Sequence, residues 1–212
     1  MTSQLNKIED YWNQRSFGYS LDNQEELLHD QEKWIELINR YLKINKGMKV
    51  LDLGCGPGFF SVMLTNLGCQ VIGIDYSDKM LEEARNNARK FKANVEFQKM
   101  DVQDLAFQDE IFDLIITRNV TWNLEKPVQA YQEMVRVLKK QGHLLNIDGN
   151  HYYHYQDQDY NRAGHSDHQH MEGIDVSIID NIAKELKLSY VLRPRYDIEI
   201  LKEIGFQQVE SQ

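Results

Sequence analysis

The chain has 212 residues, of which 42% are hydrophobic and 27% charged, and its formal net charge is -9. This composition and length predict a single domain over 1–212 with a sizeable core. The acidic balance argues against a nucleic-acid partner, because phosphate binding needs clustered Lys and Arg. No run approaches the roughly 20 apolar residues of a membrane span, and no secretory signal opens the chain, so we expect a cytoplasmic protein without membrane contact.

The first part of the chain, 1–45, is predicted to form a helical cap. Apolar side chains recur at helical spacing from about 22 to 44. Residues 1–20 are polar but rich in aromatic side chains, which is unusual for an exposed segment.

From residue 47 onward, apolar strands alternate with helical patterns. Strands are predicted at 49–53, 70–74, 94–98, 112–117 and 143–148, and helices at 59–67, at 78–91 after an N-cap at Ser77, and at 127–139. This alternation predicts an α/β fold, a doubly wound, mostly parallel, Rossmann-like sheet with helices on both faces. The ligand then belongs at the carboxyl ends of the strands.

The residues after the fifth strand break the alternation. We expect 149–195 to be a lid-like, substrate-side insertion, and its segment 151–170 holds five of the seven histidines. Helical stretches are predicted near 174–187 and 197–204, followed by a strand-like tail at 206–210. A C-terminal helix and strand therefore occupy 196–212, beside the cofactor core at 47–148.

The stretch VLDLGCGPGFF contains three glycines that follow a strand and precede a helix. A dinucleotide fingerprint needs a small residue five places after its first glycine, and Phe59 stands there when the count starts at Gly54. A P-loop needs a lysine, which this loop lacks. The acidic Asp52 before the turn would repel a pyrophosphate but suits a ligand that carries an ammonium or sulfonium charge.

Two further carboxylates follow the second and third strands. Asp75 stands about twenty residues after the first glycine, where a carboxylate can accept hydrogen bonds from both ribose hydroxyls. Asp101 can accept from an adenine amino group while Met100 and Val102 sandwich the ring.

The ordered motifs DLGCGPG, GIDYSDKML, QKMDVQDL, FDLIITRN and RVLKKQGHLL resemble those of class I S-adenosylmethionine-dependent methyltransferases. Within that family, the chain is similar to the small-molecule type that includes ubiquinone and menaquinone biosynthesis enzymes, over roughly 47–148. The resemblance implies S-adenosyl-L-methionine as cofactor and S-adenosyl-L-homocysteine as product. The cofactor-binding residues it implies are Asp52, Gly54, Cys55, Gly56, Gly58, Asp75, Tyr76, Met80, Met100, Asp101, Val102, Arg118 and Asn119, with Tyr11, Arg15 and Tyr19 from the cap.

Two features depart from the family pattern. The usual Lys-Pro-Gly-Gly turn is replaced by Lys-Lys-Gln-Gly at 139–142. The sheet of the family ends in an antiparallel hairpin, of which this chain offers only one strand, so we expect the C-terminal hairpin to be incomplete.

The candidate catalytic residues follow the fourth and fifth strands. We expect His151 to act as a general base, with Asp148 as a second candidate. Arg118 either holds an anionic acceptor or pairs with a surface carboxylate, and Trp122 either stacks on the acceptor or belongs to the core. We predict no metal site, because the histidine segment lacks the four-ligand spacings of structural zinc.

The leading hypothesis is therefore methyl transfer to a small-molecule acceptor. A nucleotide-linked oxidoreductase is disfavoured by Phe59 and Asp52. A catalytically silent protein that keeps the cofactor pocket and regulates a partner stays open. The sequence leaves the acceptor, the methylated atom and the oligomeric state undetermined.

Overall fold

The structure is a computed structural model that describes residues 3–157, 159–160, 170–171 and 173–211. Its strands are β1 (Lys49–Leu53), β2 (Gln70–Asp75), β3 (Glu96–Lys99), β4 (Phe112–Arg118) and β5 (Leu138–Ile147). Its helices are α1 (Gln4–His29), α2 (Gln31–Asn39), α3 (Phe59–Asn66), α4 (Asp78–Lys90), α5 (Pro127–Val137), α6 (Ser177–Lys184) and α7 (Arg195–Glu203). The strands form one sheet in the order β3-β2-β1-β4-β5, and every neighbouring pair is parallel.

Both faces of the sheet are covered by helices, which confirms the predicted fold class. Val50 of β1 packs into an apolar cluster with α2 and α3, while the next residue, Leu51, packs into a second cluster with α5 and α7. Ile115 and Ile116 of β4 alternate in the same way. Strands buried on two sides read as continuous apolar runs, which is why these two were visible in the sequence.

Helix α1 begins at Gln4, about eighteen residues before the predicted helix, and ends at His29; Asp30 alone separates it from α2. The residues that α1 buries do recur at helical spacing, but they include Arg15 and Ser16 beside Ile8 and Tyr11. Because polar residues lie on the buried face of α1, the sequence lacks the apolar periodicity by which an amphipathic helix is predicted. None of the helices in the described ranges combines the length and the apolar composition needed to cross a membrane.

Strand β5 begins at Leu138, five residues earlier than predicted. The register shifts inside it: Phe112 pairs with Leu138, whereas Leu114 pairs with His143. The residues Lys-Lys-Gln-Gly at 139–142, which replace the usual turn of the family, are thus absorbed as an irregularity within the strand.

The predicted strand at 206–210 is wrong. The described residues hold no strand after β5, and Phe206 and Val209 instead pack against the apolar cluster of α5 and α7. The other C-terminal predictions survive in shorter form: the helix expected near 174–187 is α6 followed by a 3₁₀ turn at Lys187–Ser189, and that expected near 197–204 is α7.

Asp52 caps α3 from inside the sheet. Its Oδ2 accepts hydrogen bonds from the backbone N–H of Ser61 at 2.8 Å and from the Ser61 hydroxyl at 2.6 Å, and the residue is only 3% exposed. Burial raises the pKa of Asp52 from 3.8 to about 6, against the lowering effect of the two Ser61 hydrogen bonds and of Arg118. Above about pH 6, Asp52 is ionised, so the folded protein holds a negative charge in its interior.

The folded pKa of Asp52 lies above its unfolded value, so its contribution to stability is complete below pH 3.8 and is lost as the pH rises through about 6. The difference corresponds to about 3 kcal/mol of unfolding free energy. We expect Asp52→Asn to remove this decline in urea unfolding measured from about pH 4 to about pH 7. The exposed Asp104→Asn should keep it, and an unchanged decline in Asp52→Asn would contradict the assignment.

Candidate functional site

A cleft lies at the carboxyl ends of β1, β2 and β4, and α1 crosses over it as a roof. It encloses about 770 Å³ of empty space, some of it open to solvent. Its lining residues are Leu5, Ile8, Glu9, Trp12, Tyr19, Gly54, Gly56, Asp75, Tyr76, Ser77, Met80, Asp101, Val102, Gln103, Arg118, Asn119, Val120, Asn123, Leu124 and Glu125.

The glycine loop forms the floor of this cleft. A side chain at Gly54, where φ is +68°, would place its Cβ 2.4 Å from a methyl carbon of Val120. The backbone at Gly56, where φ is +51°, lies against the ring of Tyr19. Glycine is therefore required where the loops after β1 and β4 touch, and Gly54 and Gly56 bring the backbone of the loop to the cleft lining.

Asp75 at the end of β2 is held in place by backbone donors. Its Oδ2 accepts from the N–H of Gly56 and its Oδ1 from the N–H of Ser77, both at 2.9 Å. Desolvation raises the pKa of Asp75, while these backbone hydrogen bonds lower it. Each carboxylate oxygen keeps a further lone pair, so the arrangement fits the two hydroxyls of a ribose.

The third wall of the cleft fits a flat, partly apolar ring. Met80 and Val102 are buried there, and Tyr76 lies beside them. The Asp101 carboxylate is fixed by the backbone and side-chain nitrogens of Gln103 at 2.9 and 3.1 Å. An anchored acceptor oxygen next to apolar side chains suits the amino edge of an adenine.

Polar contacts fasten the roof to the core. Asn13 of α1 accepts a hydrogen bond from the Ser77 hydroxyl at 2.7 Å. Glu9 forms an ion pair with Lys99 at 2.7 Å. In the orientation that satisfies its amide, Asn123 accepts from the indole N–H of Trp12 at 2.9 Å. The roof therefore sits on α4, β3 and the loop after β4 through side chains that can also reach water.

Six residues expected to bind the cofactor do not line the cleft: Asp52, Cys55, Gly58, Met100, Tyr11 and Arg15. Asp52 faces α3 as described, and burial holds the pKa of the Cys55 thiol well above its usual range. Tyr11 packs among apolar side chains of α1 and α6. The remaining expected residues, from Gly54 to Asn119, together with Tyr19, do meet in the cleft.

Arg15 is buried at 2% exposure, and its guanidinium is only partly satisfied. Nη1 donates to the carbonyl of His170 at 3.2 Å, while the buried Nη2 finds no hydrogen-bond partner within the part of the chain that the structure describes. A buried cation with an unused donor fits a carboxylate. This observation supports, at the level of fit, the expected pairing of Arg15 with the cofactor's carboxylate.

Arg118 lies at the edge of the cleft but pairs away from it. Both of its terminal nitrogens donate to the Glu26 carboxylate, at 2.9 and 2.8 Å, and the guanidinium carbon lies 5.0 Å from the ring centre of Trp34. Trp122 is 7% exposed and packs against α1 and α6. For both residues, the geometry favours the structural alternative over acceptor binding.

Asp148 and His151 form a pair directly after β5. Nε2 of His151 lies 3.0 Å from Oδ1 of Asp148. Oδ2 of Asp148 accepts from the Thr121 hydroxyl at 2.6 Å and from the backbone N–H of Trp122 at 2.9 Å. Burial would raise the pKa of Asp148, but His151, Arg193 and Thr121 lower it to about 2.

An acid with so low a pKa, surrounded by donors, is a poor proton acceptor. The geometry therefore corrects the expectation that Asp148 could serve as a general base, and instead gives it the role of a partner for His151. The His151 ring lies outside the cleft lining, 5.3 Å from the ring of Trp122.

Sequence reasoning did not include ten of the lining residues as ligand contacts; eight come from two segments, and the other two are Ser77 and Gln103. Leu5, Ile8 and Trp12 recur at helical spacing on α1, so a helix drawn from residue 4 would have placed them on one face. The residues from Val120 to Glu125 follow a strand and surround a 3₁₀ turn at Thr121–Asn123. These residues could have been predicted as ligand contacts because they form a loop at the carboxyl end of a strand, where binding residues are common. The histidines at 165 and 168 lie outside the described residues, and the absence of a metal site stays a prediction.

Comparisons with known proteins agree with this geometry. A ubiquinone biosynthesis O-methyltransferase from Coxiella burnetii is 30% identical over 100 residues, which are 47% of this chain and 43% of that protein. A demethylmenaquinone methyltransferase from Listeria welshimeri is 32% identical over 120 residues, 55% of this chain and 51% of that protein. The chain thus spans about half the length of these curated relatives.

Among solved structures, a SAM-dependent methyltransferase from Aquifex aeolicus superposes with a TM-score of 0.58 at 22% identity, covering 85% of this chain and 81% of that one. At this level of identity, the similarity shows a shared fold. The family model described as a methyltransferase domain matches residues 44–190, which include all five strands and the loops that form the floor of the cleft. The chain therefore belongs to the methyltransferase-domain family.

Proposed function

We propose that the chain binds S-adenosyl-L-methionine in the cleft under α1 and transfers its methyl group to a small, ring-bearing acceptor. The observation that carries this proposal is the convergence of Asp75, Asp101 and two glycines of the loop, Gly54 and Gly56, in one cleft at the edge of the sheet. When bound, the cofactor supplies a methyl group activated by its sulfonium centre.

The protein's own contribution is to bind and orient. Asp75 would accept the ribose hydroxyls, and Asp101 the adenine amino group, with Met80 and Val102 against the ring. Arg15 would hold the carboxylate end beneath α1. Bringing the two reactants together in one water-poor cleft supplies much of the rate enhancement for a reagent that is already activated.

The acceptor's nature is supported by the roof and by the relatives. Leu5, Ile8, Trp12 and Tyr19 give the side of the cleft below α1 an apolar and aromatic surface. Such a surface suits a planar ring of low polarity. The relatives named for ubiquinone biosynthesis and for demethylmenaquinone favour a quinol-like or phenolic acceptor.

His151 is the group that we propose takes the acceptor's proton. The low pKa of Asp148 keeps that carboxylate ionised, so it accepts a hydrogen bond from Nε2 of His151. Nδ1 would then be the nitrogen that takes the acceptor's proton. It would take the proton that the acceptor loses as it receives the methyl group, and S-adenosyl-L-homocysteine would leave as the thioether.

Cofactor binding is tested by calorimetry with S-adenosyl-L-homocysteine. We expect the wild-type protein to bind it and to ignore NAD, and we expect Asp75→Asn to bind about 10- to 100-fold more weakly, because a charged hydrogen-bond acceptor is lost. Asp78→Asn, an exposed acid on the neighbouring helix, is the matched control and should bind as the wild type does. Binding of NAD without binding of the homocysteine compound would overturn the proposal.

Turnover is tested with S-adenosyl-L-methionine labelled in its methyl group and a panel of catechols and quinols. We expect His151→Gln to lower kcat about 100-fold, since a general base contributes on that order, and to leave affinity for S-adenosyl-L-homocysteine unchanged. The exposed His143→Gln is the control. Undiminished turnover in His151→Gln ends the base assignment, and tight cofactor binding without transfer to any acceptor would favour a silent regulatory protein.

A further inference from the structure

A buried polar cluster links the C-terminal part of the chain to the acceptor side of the cleft. Its centre is Arg193, which is 5% exposed and directly precedes α7. Nη1 of Arg193 lies 3.0 Å from Oδ2 of Asp148, as an ion pair rather than an aligned hydrogen bond. Nε and Nη2 donate to the two oxygens of Asp197 at 2.8 and 3.0 Å, and Nη2 also donates to the Thr121 hydroxyl at 2.5 Å.

The surroundings of this cluster hold Arg193 rigidly. Its backbone N–H donates to Oδ1 of Asn150, whose Nδ2 donates back to the Arg193 carbonyl, both at 2.8 Å. Asp197 accepts from the Tyr131 hydroxyl, which in turn accepts from Nδ2 of Asn146 at 2.9 Å. The guanidinium is thus fixed by α5, α7 and the chain after β5 together.

The contacts of Asp148 lead from this cluster to the cleft. One of its oxygens receives the Thr121 hydroxyl and the N–H of Trp122, which lie in the 3₁₀ turn after β4. We define the cleft wall as 119–125, the segment around that turn; five of its residues line the cleft: Asn119, Val120, Asn123, Leu124 and Glu125. The other oxygen receives Nε2 of His151 and the N–H of Gly149.

We propose that Arg193 is a positioning residue, which through Asp148 fixes both the cleft wall and the orientation of His151. A buried ion pair contributes little net stability, because desolvation of the two charges offsets their attraction. Its effect is instead geometric: an ionised Asp148 accepts from donors only, and so selects one arrangement of the turn and one tautomer of the histidine. Neither Arg193 nor Asp197 lines the cleft.

The proposal is tested by following whether Asp148 is ionised or protonated. The titratable group that faces it is His151 from the segment after β5, and the charged group is Arg193 from the segment before α7, with Asp197 behind Arg193. The other partners of Asp148 are the neutral donors of Thr121, Trp122 and Gly149. Without Arg193, desolvation would dominate, and Asp148 would take up a proton at a higher pH.

The experiment uses the full-length protein labelled with 5-fluorotryptophan, whose three tryptophans give three ¹⁹F NMR signals. All samples carry His151→Gln, which removes the imidazole beside Trp122. With Arg193 present, we expect the Trp122 signal to stay constant from about pH 5 to about pH 8; adding Arg193→Met should shift it and make it titrate. The Trp34 signal should not respond, since that ring packs on α3.

Two further variants separate the charge from the packing. Arg193→Lys should restore a pH-independent Trp122 signal, because it retains a cation for Asp148. The double variant Arg193→Met with Asp148→Asn removes both charges, and should show a shifted signal that does not titrate. If Arg193→Met does not fold, the test rests on the double variant. A Trp122 signal in the double variant that equals the signal of the protein with His151→Gln alone then overturns the proposal. A Trp122 signal in Arg193→Met that matches the background at every pH also overturns it.

A second measurement rests on the proposed function. In the otherwise wild-type protein, Arg193→Met should weaken binding of S-adenosyl-L-homocysteine about tenfold, because Val120 of the wall packs on Gly54 in the floor. An unchanged affinity would show that the wall does not depend on Arg193. If the wild type itself fails to bind the compound, the proposed function fails, while the ¹⁹F signals still decide the role of Arg193.

Discussion

The reversal of strand order beside β1 is the constraint on which the site depends. The chain builds β1, β2 and β3 outward in one direction and then returns to place β4 and β5 on the other side of β1. The connections that leave β1 and β4 therefore run to opposite faces of the sheet and open a crevice between them. Gly54 and Val120 meet at the base of that crevice, so the approach of two loops sets how deep a ligand can sit.

Much of this arrangement could be predicted from the sequence, because it follows from rules that act along the chain. The buried parallel strands are apolar runs, and the carboxyl ends of such strands share one edge of the sheet. Asp75 and Asp101 could accordingly be assigned to one pocket before any coordinates were known. The family motifs added which part of the cofactor each would meet, which stays a prediction, and both residues line the cleft.

The rest depends on contacts between residues that are far apart in the chain. Asp52 belongs to the glycine-loop motif by its sequence, yet its side chain accepts a hydrogen bond from the backbone N–H of Ser61 and caps the first turn of α3. Arg118 pairs with Glu26, which lies 92 residues away. Arg193 and Asp197 carry no local pattern at all, and only the packing of α7 on α5 brings them to Asp148. Side-chain direction and long-range charge pairing are not encoded in periodicity or spacing.

The polar fastening of α1 has a consequence for how relatives of this protein can diverge. The matched family region begins at residue 44, after both N-terminal helices, so the roof lies outside the segment that defines the family. Its polar contacts to the core include the ion pairs of Glu9 with Lys99 and of Glu26 with Arg118 and the hydrogen bond from Ser77 to Asn13, each of which constrains a single core side chain. Roof and floor can therefore vary separately, and a new acceptor can be accommodated by exchanging one helix while the machinery for the common methyl donor is retained.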